Sequence, residues 1–240
     1  MITTTLLDEA KHPWADLPKH AFLERMRAGT LDPAAFTRWL AQDYLFVVDF
    51  TKLMAHLFSL APRRDHAMLL AGFGAIADEL QWFESHLTSR GHPLPSPTHT
   101  SLATTPGALN PAALPGDACV AFCNWMVARN DAASTAADVR SAYRMLLVAF
   151  WAMEHAYNIA WGSLKHQSGV SAAYAEYVDR WTNPAFSAYV DDLRAAVDRE
   201  FAEAGVTPGS DEWVAAHQVV ADVVRLERDF WSMCLGANDQ

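Results

Sequence analysis

Four acidic residues fall on apolar helical faces, where a carboxylate left without a partner costs several kcal/mol. Asp43 lies between Trp39 and Phe46, and positions 39, 43, 46, 47 and 50 share one side of a helix, so its carboxylate projects among aromatic rings. Glu84 follows Trp82 and Phe83. Glu154 follows Trp151 and belongs to a stripe with Phe150, Tyr157 and Trp161, and Glu227 stands one turn before Trp231. Taken singly, each is also explained as a carboxylate at the rim of an apolar face, neutralised by Arg or Lys on a neighbouring helix. Taken together, carboxylates beside rings on separate long helices suit a pocket for a flat, protonatable heterocycle. Rings stack on its faces, and carboxylates bind its edge and move protons.

Apolar spacing of three and four predicts long helices to carry these groups. Pro33 to Leu60 is one, with Asp32 as N-cap, and its wide apolar surface places it near the centre of a bundle. Asp65 to Arg90 is a second, stopped at Gly91. His92 to Leu114 collects Pro93, Pro95, Pro97, Pro106 and Pro111 and is expected to be a long ordered connection. Asp117 to Arg129 follows, with a break at Asn130 and Asp131 before Ser134 to Leu164. Ala172 to Trp181, Phe186 to Ala204, and Asp211 to Leu235 complete the series, the last capped by Ser210 or Asp211. No segment joins β-branched alternation to hairpin turns. The expected architecture is all-α, a helical bundle of about seven to eight helices in one domain over residues 1–240, with 1–17 as an N-terminal extension.

Composition sets the limits on partners. Half of the 240 residues are hydrophobic and 27 are aromatic, enough to bury a sizeable core. Eighteen basic against 28 acidic side chains give a formal charge of −10, which repels phosphate backbones, and no basic stripe offsets it. Nucleic acid is not an expected partner, and neither is a membrane, since no apolar run approaches the roughly 20 residues a span needs. Three cysteines and no apolar leader predict a cytoplasmic protein. Cys119 and Cys123, four apart on one helix, lack further ligands at zinc-finger spacing and are expected to be structural, like Cys234.

Four motifs in chain order carry a resemblance. They are His20-Ala-Phe22 with Gly29-Thr-Leu31, Phe36 and Gln42-Asp-Tyr44; Glu79 to Glu84; Phe150 to Glu154; and Leu226 to Met233. Spread from about Trp14 to Met233, they resemble the TenA-type thiaminase II family. The resemblance implies a heme-oxygenase-like bundle that binds no heme and needs no cofactor. Its pocket takes a 4-amino-2-methylpyrimidine with an aminomethyl or formylaminomethyl group at position 5, in salvage of the thiamin pyrimidine. It assigns ring binding to Asp43 and proton transfer to Glu227, and it implies a homo-oligomer, a dimer or tetramer.

The chain departs from the better-known members, which carry a Pro-Cys and then a Tyr four residues later. Here Leu147 to Glu154 holds no cysteine, so thiolate attack from that helix is excluded. The sequence resembles a second branch marked by a glutamate, with Glu154 in place of either the Cys or the adjacent Tyr. Phe46 and Trp181 stand where tyrosines are expected. Glu154 and Glu227 are then the expected catalytic pair, activating water and protonating the leaving amine, with Asp43, Phe46, Trp82, Glu84, Phe150, Trp151, Tyr157, Trp181 and Trp231 around the substrate. The competing readings are a metal-dependent or cofactor-free oxidase on the same fold and a non-catalytic pyrimidine-binding protein. The oxidase reading is weakened because Glu154-His155 and Glu84-Ser-His86 lack the Glu-x-x-His spacing of a carboxylate-bridged iron site, and Glu9-Ala-Lys-His12, which has it, lies before the bundle.

Overall fold

The computed structural model describes residues 1–95 and 115–235, and the proline-rich connection expected at 92–114 lies largely outside the described residues. Nine α-helices and no strand occur among those described. Two are short, α1 (Ile2–Leu6) and α2 (Ala21–Arg27). The long ones are α3 (Pro33–Leu60), α4 (His66–Ser89), α5 (Asp117–Ser134), α6 (Val139–Gly162), α8 (Pro184–Glu203) and α9 (Asp211–Cys234), with the brief α7 (Ala175–Arg180) before α8.

The helix ends follow local chemistry. The Asp32 carboxylate accepts from the Ala34 N–H at 2.8 Å ahead of Pro33, so α3 starts with one orphan donor satisfied and one absent. Asp138, Asn183 and Ser210 do the same for α6, α8 and α9. After α4, Gly91 takes φ +65 and the His92 N–H returns to the Leu87 carbonyl at 3.0 Å, the left-handed stop expected there. The break expected at Asn130 and Asp131 is absent. These residues are weak helix formers rather than breakers, at a few tenths of a kcal/mol each, so α5 continues to Ser134 and the chain turns at 135–138, where Asp138 caps the next helix. The helix expected over 172–181 begins as a single 3-10 turn, Ala172–Tyr174, before α7.

In the bundle, α3 packs against α4, α5, α6 and α9, and α6 packs against α3, α5, α8 and α9. These two central helices bury residues around most of their circumference, as the width of their apolar surfaces requires. Trp39, Trp151, Trp161 and Trp231 are all at most 1% exposed. Residues 1–17 also reach the core. Thr3 gives its N–H and hydroxyl to Asp198 on α8, the Trp14 indole donates to the Leu6 carbonyl at 2.7 Å, and His12 stacks on His217 of α9. No helix of the described residues is long and apolar enough to cross a membrane.

Candidate active site

A cavity of about 580 Å³ opens between α4, α7 and the start of α8. Its walls include Gly72, Glu79, Trp82, Glu154, Trp181 and Tyr189. A smaller chamber of about 30 Å³ lies inward, bounded by Asp43, Phe46, Phe50, Met153 and Tyr157. Glu79, Glu154 and Trp181 line both spaces and stand at the boundary between them, here called the neck. The combined volume is in the range of pockets that enclose a small heterocycle.

Helix periodicity delivers the neck residues. On α4, Gly72, Ala75, Glu79 and Trp82 recur at three and four, and on α6, Glu154 and Tyr157 are one turn apart. Trp181 follows the last turn of α7, and its ring lies 4.8 Å from Trp161 and 5.4 Å from Tyr157. At the mouth, the Trp82 indole donates to Glu176 at 2.5 Å, and the Arg180 guanidinium sits 4.1 Å over the Trp82 ring. His86 joins the same network through Glu176, as a network histidine would.

The electrostatics of the neck are unusual for a folded interior. Burial pushes the Glu79 carboxyl up to about 7, against the opposing pull of the Arg180 charge and a hydrogen bond from Trp181. Burial pushes Glu154 up to about 8, and the charge of Glu79 adds to the rise. Between about pH 7 and about pH 8 the pair therefore carries about one proton. Deeper in, Tyr157 donates a short hydrogen bond to Asp43 Oδ1, while Asp43 Oδ2 is buried without a partner. Burial holds Asp43 well above the usual carboxylate range, and burial followed by the charge of Asp43 does the same to Glu227. Glu227 Oε1 is likewise buried without a partner.

The structure thus brings Asp43, Phe46, Glu154, Tyr157 and Trp181 to one chamber and Trp82 to the outer cavity. Glu227 lies behind this wall, beside Asp43 and Tyr157, with the Trp231 ring edge-on to Tyr157 at 6.4 Å. Phe150 stacks on the chamber residue Phe50 at 4.7 Å. Two expected residues lie elsewhere. Glu84 sits about 140° round α4 from Glu79 and takes a hydrogen bond from Tyr44 at 3.2 Å, outside both spaces. Trp151 sits about 100° round α6 from Phe150 and packs on Trp14 and His155. Glu79 opens the Glu79 to Glu84 motif of the sequence but was not among the expected site residues. Its sharing of a face with Trp82, three residues on, was the available signal. Tyr189 carried no motif at all.

Against known proteins, residues 7–93 match the TENA/THI-4/PQQC family. The chain is 25% identical to a Glycine max protein named "Probable bifunctional TENA-E protein", over 98% of this chain and 93% of that one. Among solved structures, it superposes on a TenA homologue from Pyrococcus furiosus with a TM-score of 0.80 and 22% identity, covering 98% of this chain and 100% of the other. A TenA family transcription regulator from a Silicibacter species gives 0.76 and 20%, over 98% and 96%. Residues 7–93 therefore carry the sequence pattern of the TENA/THI-4/PQQC family, and the chain as a whole carries the TenA fold, a heme-oxygenase-like bundle.

Proposed function

We propose that this protein is a hydrolase of 4-amino-2-methylpyrimidines bearing an aminomethyl or formylaminomethyl group at position 5, acting in salvage of the thiamin pyrimidine. The observation that carries the proposal is the neck. Two carboxyls with raised affinity for protons face one cavity, beside a chamber whose buried Asp43 oxygen has no partner. Asp43 Oδ2 is suited to the edge of an aminopyrimidine, and Phe46, Tyr157 and Trp181 enclose the ring. The substituent then points through the neck toward Glu79 and Glu154.

The chemistry follows from the shared proton. The ionised member of the pair takes a proton from water as the water attacks carbon, and the protonated member gives its proton to the departing nitrogen, which for the aminomethyl substrate requires the amine bound in its neutral form. Glu79 thereby takes the place beside Glu154 that the sequence assigned to Glu227. Glu227 acts one layer back, on the charge state of Asp43 and Tyr157. The three cysteines are free and buried, and none lines the cavity.

The test is product analysis after incubating metal-free protein with thiamin, the aminomethylpyrimidine and its N-formyl derivative. Hydroxymethyl or amino product from the second or third is the expected result. No turnover of any substrate, with oxidation restored by iron, would assign the cavity to oxidase chemistry. Among the described residues, no three His, Cys, Asp or Glu side chains converge to hold such an ion. Affinity for the pyrimidine without turnover would make the protein a binder.

A further inference from the structure

Residues 1–17 lie across α6, α8 and α9. Thr3 ties their start to Asp198, and Arg194 Nε donates to the Thr3 hydroxyl at 3.2 Å. Three histidines belong to this contact. His12 is on the segment and 3% exposed, His217 comes from α9, and His155 comes from α6. The rings of His12 and His217 stack at 4.9 Å, and Trp14 meets His155 edge-on at 5.0 Å.

The hydrogen bonds fix where the protons of the stacked pair sit. The Thr5 hydroxyl donates to the Ile2 carbonyl at 2.8 Å, so it accepts from His217 Nε2 at 3.3 Å. His217 Nδ1 is then an acceptor, and it takes the His12 Nε2 proton at 2.7 Å. His12 Nδ1 is left with a bare lone pair, buried without a hydrogen-bond partner among the described residues. This chain is complete for two neutral rings. A further proton has no place at the Thr5 end, which is occupied, or between the rings, where one proton already lies. It must end at His12 Nδ1, as a buried donor without an acceptor, at a cost of about 1–3 kcal/mol before its charge is counted.

The neighbouring charges do not compensate. Burial pushes His12 down to about 4, the charges of His217 and Lys11 add to the fall, and Asp8 opposes it. Burial also lowers His217, which packs beside Trp213 at 5.5 Å, with Lys11 adding and Asp8 opposing. Beneath Trp14, burial and then the charge of Arg194 push His155 down to about 4, against the pull of Asp191.

We propose that residues 1–17 are an acid-released strap: proton uptake by His12, His155 and His217 undocks the segment from α6, α8 and α9 while the remaining helices stay folded. Once the segment is free, its histidine and those it covered are hydrated and bind protons at the ordinary value of about 6.5, so acid favours release. Docking is at full strength above pH 6.5 and weakens as pH falls toward about 4. For His12 alone, the docking equilibrium should weaken about 20-fold between pH 7 and pH 5, and His155 adds to this when Trp14 leaves it. Release uncovers the rings of Trp14 and Trp151, which are 2% and 0% exposed in the docked state. The switch does not depend on the chemistry of the cavity.

The test is hydrogen exchange of the full chain, read by mass spectrometry and corrected for the intrinsic effect of pH on amide exchange. In wild type, protection of peptides within residues 2–17 should be nearly flat from pH 8 to pH 7 and fall at least about 20-fold by pH 5, while protection of α3 holds. A fall shared equally by α3 would be global unfolding and would overturn the proposal. So would a fall that begins only below pH 5, where carboxylates rather than histidines titrate. His12→Gln keeps a donor toward His217 but takes up no proton, so the loss between pH 7 and pH 5 should be about 20-fold smaller than in wild type. An unchanged loss would remove His12 from the switch and overturn it. If His12→Gln leaves the segment unprotected already at pH 7, the wild-type profile decides by itself.

Discussion

Glu200 and Glu227 are equally buried, each 1% exposed, and the chain treats them in opposite ways. Glu200, on α8, receives Arg64 at 2.5 Å and Arg140 at 2.7 Å, with Arg199 bridging from Glu200 to Asp65. Glu227 and its neighbour Asp43 have no lysine or arginine paired to them among the described residues, and one oxygen of each is left without a partner. The first arrangement ties the starts of α4 and α6 to α8. The second stores unfavourable desolvation at the chamber, which a ligand of the proposed kind would relieve. This sequence can neutralise a buried carboxylate where the fold needs a joint, so its absence at the chamber marks a site built for something other than stability.

The largest effect expected to sharpen this contrast is on turnover. Glu154→Gln and Glu79→Gln should each lower kcat about 10²- to 10⁴-fold in steady-state assays while leaving the melting temperature unchanged or raised. A variant of either that kept full activity would return these residues to the bland class of rim carboxylates. The pH profile of kcat/KM is the companion measurement. With one member near 7 and the other near 8, activity should rise as the first ionises and fall as the second does, giving a narrow bell between them.

Stability should respond to pH with a definite sign. The folded-state pKa values of Glu79 and Glu154 lie above the 4.5 of the unfolded chain, so the folded protein holds the extra protons. Their contribution is fully present below pH 4.5 and is lost as pH rises from there through about 7 and about 8, for a total of up to about 8 kcal/mol, of which about half falls between pH 6 and pH 9. Chemical denaturation at pH 6 and pH 9 would measure it, and a higher stability at pH 9 that Gln at both positions failed to alter would contradict the assignment.

Smaller effects separate the joint from the chamber directly. Glu200→Gln should destabilise by about 1–3 kcal/mol, at the low end of what breaking a buried pair costs, because Arg64 and Arg140 are each over 40% exposed and can rehydrate. Glu227→Gln should be neutral or stabilising at pH 8, since an amide replaces a carboxyl that burial keeps from ionising. Equal destabilisation by both would erase the distinction. Smallest of all, Arg180→Met should move the lower limb of the pH profile upward, because the Arg180 charge opposes the rise of Glu79.

The expectations drawn from sequence fared differently at different scales. Six long helices and several caps, Asp32 and Ser210 among them, were readable because periodicity and capping are local properties of the chain. The Asn130–Asp131 break was misplaced because a weak helix former inside an otherwise helical stretch does not stop it. Around the cavity, Asp43, Glu154 and Tyr157 could be named from their aromatic company and Trp181 from the resemblance, yet Glu84 was chosen over Glu79. Both belong to one motif, and only the rotation of α4 against α3 and α8 decides which faces the cavity.

What the sequence determined by itself was an α-helical chain with acidic residues held among aromatic rings, since side-chain type and a period of 3.6 suffice for that. The tertiary structure alone decided which carboxylates meet. Glu79 and Glu154 are 75 positions apart, and Gly72 and Tyr189 lie farther still along the chain. Their proximity depends on how α4, α6 and α8 pack, and packing is set by long-range complementarity that no local pattern records.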